Sequence, residues 1–157
     1  MNKVPMTEAG YKNLQAELKK LINTERPAII AEITEARGHG DLSENAEYQY
    51  AKEQQNLVES KILELENTIV QAEVIDISKL SGKEIMFGAT VKIKDNETSE
   101  HSTYQIVGEY ESDIENKKIS INSPIARGLI GKSENDVVEI NSPKGIKFYT
   151  VISVKFQ

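Results

Sequence analysis

Apolar residues recur at steps of three and four through the first half of the chain and alternate with polar ones through the second. Tyr48, Ala51, Gln55, Val58, Ile62, Leu65, Ile69 and Ala72 form an unbroken three-four series with charged residues on the remaining faces. That is the spacing of a coiled-coil seam. Upstream, Leu14, Leu18, Leu21 and Ile22 mark one face of an earlier helix, and Ala28, Ile29, Ile33 and Ala36 resume it. Thr7 is placed to cap that helix, with Met6 and Tyr11 spaced as a hydrophobic staple. Pro27 cannot bond back to Asn23 and clashes with the preceding turn. Because the apolar spacing continues beyond it, a kink is expected rather than a stop. From Thr7 to Arg37 such a helix is about 45 Å long. Two long helices joined by a short turn predict an antiparallel hairpin.

The turn itself reads Gly38-His39-Gly40-Asp41-Leu42-Ser43-Glu44-Asn45. Extending the seam back from Tyr48 reaches Glu44 and then Asp41, which puts two carboxylates together at the end of the stripe. Two readings are open. Asp41-x-x-Glu44 matches a capping box, whose charges also complement the positive end of the helix dipole. Alternatively, a pair of acidic oxygens on a protruding tip can supply ligands to a metal ion bound elsewhere. His39 and His101 stand in no spacing that builds a zinc site.

Beyond residue 76 the period changes from helical to alternating. Runs over 87–94, 102–110, 117–122, 136–141 and 147–155 are rich in β-formers and separated by polar or Gly/Pro-containing links. An antiparallel sheet is expected. Ser123 followed by Pro124 is a helix start, so a short helix is expected over 124–130. The fold class is therefore α+β, with a coiled-coil hairpin over 1–76, a sheet domain over 77–157 and a linker near 77–83.

Composition narrows the function classes. The net charge of −6 is uneven. The first 75 residues hold 8 basic against 13 acidic side chains, and the rest 11 against 12. Duplex binding is dominated by Lys and Arg neutralising phosphates, so any nucleic-acid contact should be small and local. The 157 residues contain no cysteine, which excludes disulfides and thiolate metal sites. No stretch reaches the roughly 18 apolar residues of a membrane span, and the start lacks a secretory pattern. A cytoplasmic, monomeric protein with no membrane partner is expected.

Three stretches carry a resemblance: Val4-Pro5-Met6-Thr7, the block from Ala36 through Tyr48 to Gln55, and the run from Asn122 through Ser123, Pro124, Ile125, Ala126, Arg127, Gly128, Leu129 and Ile130 to Lys132. On these the chain resembles, from end to end, the bacterial Gre transcript cleavage factors, a family of transcription elongation factors. The resemblance implies a coiled-coil hairpin followed by a domain similar to FK506-binding proteins. The second domain would dock at the secondary-channel rim of RNA polymerase through residues 123–129, and the hairpin would enter the channel.

Carried over residue by residue, the family's tip acids fall on Asp41 and Glu44. There they would help hold the second Mg²⁺ of the polymerase and order the water that cuts backtracked RNA. Mg²⁺ takes oxygen ligands and is typically held by one or two carboxylates plus phosphate oxygens, and a two-metal site stabilises both attacking and leaving oxygens. The protein would thus have no cofactor of its own and be no enzyme. Arg37 and Lys52 would touch the 3′ segment of the nascent RNA, and Ser43, Asn45 and Tyr48 would support the tip. Lys at 52, where relatives often have Arg, keeps the charge but loses the planar fork. Absence of a larger basic cluster fits the GreA branch of the family better than the GreB branch. Two rival readings remain: a channel-binding regulator without cleavage activity, and a peptidyl-prolyl isomerase. The latter needs an aromatic pocket, and the second half has no Trp.

Overall fold

A computed structural model of the chain describes residues 3–40 and 45–157. Two compact units make up the chain. One spans Tyr11–Ala72, and the other joins Lys3–Gly10 to Glu73–Gln157.

The hairpin unit is built from α1 (Glu8–Lys20), a π-helical segment over Leu21–Glu25, α2 (Arg26–Arg37) and α3 (Ala46–Gln71). Leu14, Leu21, Ile33, Ala36, Ala51, Ile62, Leu65 and Thr68 are its buried residues. They lie on the face expected from the three-four spacing; Ala28 departs from the expectation and is exposed. The reason lies in the π segment. Arg26 N–H bonds to Leu21 O, five residues back, and this wider turn immediately precedes Pro27, which has no N–H to give. Helical backbone runs on through Pro27 rather than stopping, as expected, and the inserted residue of the π turn relieves the proline and rotates the face that follows. Arg26, at the start of α2, then reaches across to Glu59 with Nε and Nη2 at 2.7 and 2.8 Å. That bidentate bond holds the guanidinium above its usual pKa.

In the second unit, β3 (Thr90–Asp95), β4 (His101–Val107), β5 (Lys118–Ser120), β6 (Val137–Ser142) and β7 (Gly145–Lys155) form one sheet in the order β5-β4-β3-β7-β6. All five runs read from the alternation are strands. One pairing differs from the expected antiparallel pattern, because β5 lies parallel to β4. A parallel neighbour needs a connection that crosses back along the strand, and residues 108–117 supply it through two 3₁₀ turns at Glu109–Glu111 and Ile114–Asn116. Alternation, with a register shift at Ile152 of β7, puts Val91, Ile93, Ile106, Val138, Ile140, Val151 and Val154 on one face, where they pack with Ile85, Ala89, Ile119, Ala126 and Leu129. The last two come from α4 (Pro124–Leu129), which closes that core. Two further strands, β1 (Val4–Thr7) and β2 (Ala72–Ile75), pair as a separate two-stranded sheet.

Glu111 ties the start of the chain into this unit. Its carboxylate accepts from Thr7 N at 3.0 Å, from the Thr7 hydroxyl, and from Gly108 N at 2.9 Å. Thr7 Oγ1 in turn accepts from Gly10 N at 3.1 Å, so Thr7 caps α1 as expected while donating to Glu111. Gly108 is required by the nearby backbone, and a side chain on Gly10 would displace the Glu111 carboxylate. A Cβ on Gly10 would lie 2.1 Å from Glu111 Oε1, and one on Gly108 2.3 Å from Pro5 O.

Candidate functional site

The two antiparallel helices end within one turn of each other at the 38–45 segment. Gly38 ends α2, its N–H bonding to Glu35 O at 3.0 Å, and His39 N follows to Ala36 O at 3.1 Å. Gly40 has φ +111, a left-handed conformation that a side chain would strain.

On the other arm of the hairpin, α3 starts at Ala46 and its cap is Asn45. The Asn45 side chain works in both directions. Its Oδ1 accepts from Tyr48 N at 3.0 Å, satisfying an orphan donor of α3, and its Nδ2 donates at 2.7 Å to Ala36 O, the carbonyl at the end of α2 that also accepts from His39 N. One amide therefore ties the end of α2 to the start of α3. The capping role expected of Asp41 belongs to Asn45, because Asn45 is the residue with extended backbone (φ −84, ψ 98) immediately before the helix. Asp41, Ser43 and Glu44 lie outside the described residues.

Around this closure the charges divide by flank. Arg37 sits with its guanidinium carbon 6.0 Å from the centroid of the Tyr48 ring, within the range of a cation–π contact. Lys52 follows Tyr48 by one helical turn and donates to Gln55 Oε1 at 3.0 Å. Arg37, Tyr48 and Lys52, read separately from the sequence, are thus brought to one flank as two cations around a half-buried ring. The other flank carries a groove lined by Glu32, Glu35, Ala36, Glu47, Tyr50 and Ala51. His39 Nδ1 lies 3.0 Å from Glu47 Oε2, with both side chains exposed. Among the described residues, no group of three or more His, Cys, Asp or Glu could hold a metal ion.

In the sheet unit, Ser123 caps α4 through Oγ, which accepts from Ala126 N at 3.3 Å and donates to Ser120 O at 2.7 Å. Ala126 and Leu129 are fully buried. A Cβ on Gly128 would stand 3.2 Å from an Ile140 methylene, so α4 lies close against β6. Ile125 is half-buried against the core, and Pro124 and Arg127 are exposed. Of the 123–129 segment, then, mainly the first turn and Arg127 face outward. A groove in this unit, walled by Thr7, Glu8, Asp76, Ser78, Gln105 and Lys118 among others, contains no aromatic side chain.

Comparison with known proteins bears on both units. The N-terminal transcription elongation factor pattern of GreA and GreB matches residues 4–74, and the C-terminal pattern of the same proteins matches residues 80–156. The chain belongs to the GreA/GreB family of transcription elongation factors. The transcription elongation factor GreA of Caulobacter vibrioides is 54% identical over 156 residues, covering 99% of each chain. That of Maricaulis maris is 56% identical with the same coverage. Among solved structures, the GreA factor homolog 1 of Thermus thermophilus aligns at 25% identity and TM-score 0.45, covering 98% of this chain and 99% of that one. The GreA/GreB match takes in both helices of the hairpin and all five strands of the sheet. Among the described residues no helix is long and apolar enough to cross a membrane.

Proposed function

We propose that this elongation factor binds RNA polymerase in its secondary channel and stimulates the polymerase's own cleavage of backtracked nascent RNA. In this reading the sheet unit docks at the channel rim, with Ser123, Pro124 and Arg127 among its outward groups. The hairpin carries Asp41 and Glu44 to the active centre, where their oxygens complete the shell of the second Mg²⁺ and order the attacking water. The observation that carries the reading is the closure by Asn45. A single amide bonded to Ala36 O and to Tyr48 N ties α2 to α3 where the hairpin turns, and Asp41 and Glu44 lie in the sequence between the residues so tied. Arg37 and Lys52, on one flank with Tyr48 between them, suit a phosphate and a base of single-stranded RNA. The chemistry requires nothing the protein must retain alone. A hard cation with open positions takes two carboxylates readily, and the polymerase remains the enzyme.

The test is cleavage rate against Mg²⁺ on one stalled, backtracked complex at fixed ionic strength. Loss of even a group that only orients a ligand costs roughly 10–100-fold in metal affinity, so Glu44→Gln should cleave at least that much more slowly at sub-millimolar Mg²⁺. It should recover in part at tens of millimolar, by mass action. Lys52→Ala should show no such recovery, since its defect lies in holding RNA and added cation screens that contact further. A Glu44→Gln curve flat at the factor-free rate, or equal rescue of both variants, removes Glu44 as a ligand. Wild-type protein that binds polymerase without accelerating cleavage would instead favour the regulator without cleavage activity.

A further inference from the structure

The face of the five-stranded sheet opposite α4 carries an apolar strip that the docking role of residues 123–129 does not use. On β7, Ile146, Phe148 and Ile152 point outward and are 56%, 51% and 36% exposed, and Val137 on β6 is 58% exposed. Register makes them one patch. Val137 pairs with Thr150, which places it diagonally beside both Phe148 and Ile152, and Ile146 is the next outward residue along β7. Along the other side runs a column of lysines. Lys94 pairs with Thr150, Lys92 with Ser153, and Lys155 with Thr90. Four large apolar side chains share one sheet face, with lysines toward β3 and Glu139 opposite Phe148 on β6; contiguous exposure of this kind is what a partner surface looks like rather than scattered exposure.

We infer that this strip of Val137, Ile146, Phe148 and Ile152, with Lys92, Lys94 and Lys155 beside it, contacts an acidic segment of RNA polymerase that offers apolar side chains of its own. The inference rests on the proposed polymerase-binding function and adds a second docking surface to it, on the opposite face of the sheet from α4. Charge selects the occupant. Pairing two copies through their β6 edges about the centre of β6 would oppose Glu139 to Glu139; like charges directly opposite are destabilising. A nucleic acid would find only one ring to stack on, and three of the four side chains are aliphatic. An acidic polypeptide satisfies both the strip and its edge.

Full-length Phe148→Ser and Ile146→Ser test it, since both side chains are exposed and their loss should leave thermal unfolding unchanged. An aromatic anchor in the middle of an interface typically carries a disproportionate share of the affinity, so Phe148→Ser should weaken binding to core RNA polymerase on the order of tenfold or more. Lys92→Glu combined with Lys94→Glu should slow association at low salt and flatten its dependence on ionic strength. Wild-type failure to bind polymerase would sink the proposed function and this inference together. Wild-type binding and cleavage with an unchanged affinity for Phe148→Ser would sink this inference alone. Loss of single-stranded RNA binding, or of a dimer seen by sedimentation, in Phe148→Ser with polymerase affinity intact would assign the strip elsewhere and overturn it.

Discussion

The two units of this chain hold themselves together in different ways. The hairpin buries its apolar groups along a line, each touching a partner about a turn away, so one end can loosen while the other stays packed. The sheet unit buries twelve residues against one another in a single cluster drawn from β3 to β7, α4 and the segment just before β3. A one-dimensional seam can fray and still stand, and a shared core cannot. The difference fits the work proposed for each: a docking body that keeps its surfaces fixed, and a rod whose end needs its own local fastening.

The largest stability effect should come from the core. Leu129→Ala removes a fully buried side chain and should cost about 2–5 kcal/mol, unfolding the sheet unit as a whole by hydrogen exchange. Leu65→Ala, buried in the seam, should instead raise exchange mainly within α3 and the facing helix. Uniform loss of protection across both units in the Leu65→Ala protein would mean that they unfold as one, and the contrast would fall.

A smaller effect is expected at the hairpin's end. Asn45→Ala removes the cap of α3 and the bond to Ala36 O together, worth roughly 1–2 kcal/mol for the cap. Exchange should rise at the first turn of α3 and the last turn of α2 while the sheet unit keeps its protection. Asn45→Asp, which can still cap but cannot donate, should rescue α3 alone. Equal protection of both helix ends in Asn45→Asp would refute the bridging role.

The smallest effect is electrostatic and belongs to the sheet. Bonds from Glu97 N, then Thr98 N and Lys147, hold Asp95 below its ordinary carboxylate pKa of 3.8, and Asp95 raises Lys147. A depressed carboxylate contributes stability that is present above its unfolded pKa and lost as pH falls through the folded one. Thermal stability of the wild type should therefore drop below about pH 4, and Asp95→Asn should flatten that acid limb while leaving the slope near neutral pH unchanged. An acid limb identical in both proteins would exclude Asp95 as a contributor.

Both long helices and all five main strands were legible in the sequence, because each buries one face and so writes its period into the residues. What escaped had its cause outside the local window. Val4–Thr7 is a strand only because β2 pairs with it from the far end of the hairpin, and β5 runs parallel because of how residues 108–117 fold. Asp41-x-x-Glu44 reads as a capping box by spacing, yet Asn45 is the cap, since its second bond to Ala36 O crosses the turn and has no signature in spacing. The acids, the two cations and Tyr48 were readable as chemistry. That Arg37 lies over Tyr48 follows from hairpin register, which the sequence pattern alone leaves free.

Glu111 adds a consequence that concerns time. Thr7 finds its carboxylate partner 104 positions further along the chain. At roughly 5–20 residues per second of synthesis, that is a wait on the order of ten seconds. The hairpin's helices are all encoded before then and can pair meanwhile, because helices and short loops form in microseconds. The anchoring of Thr7, by contrast, cannot be completed until the ribosome has passed Glu111, so β1 must keep that edge available through most of the translation that follows it. A nascent chain halted before that point would carry a finished rod whose first strand still lacks its fastening.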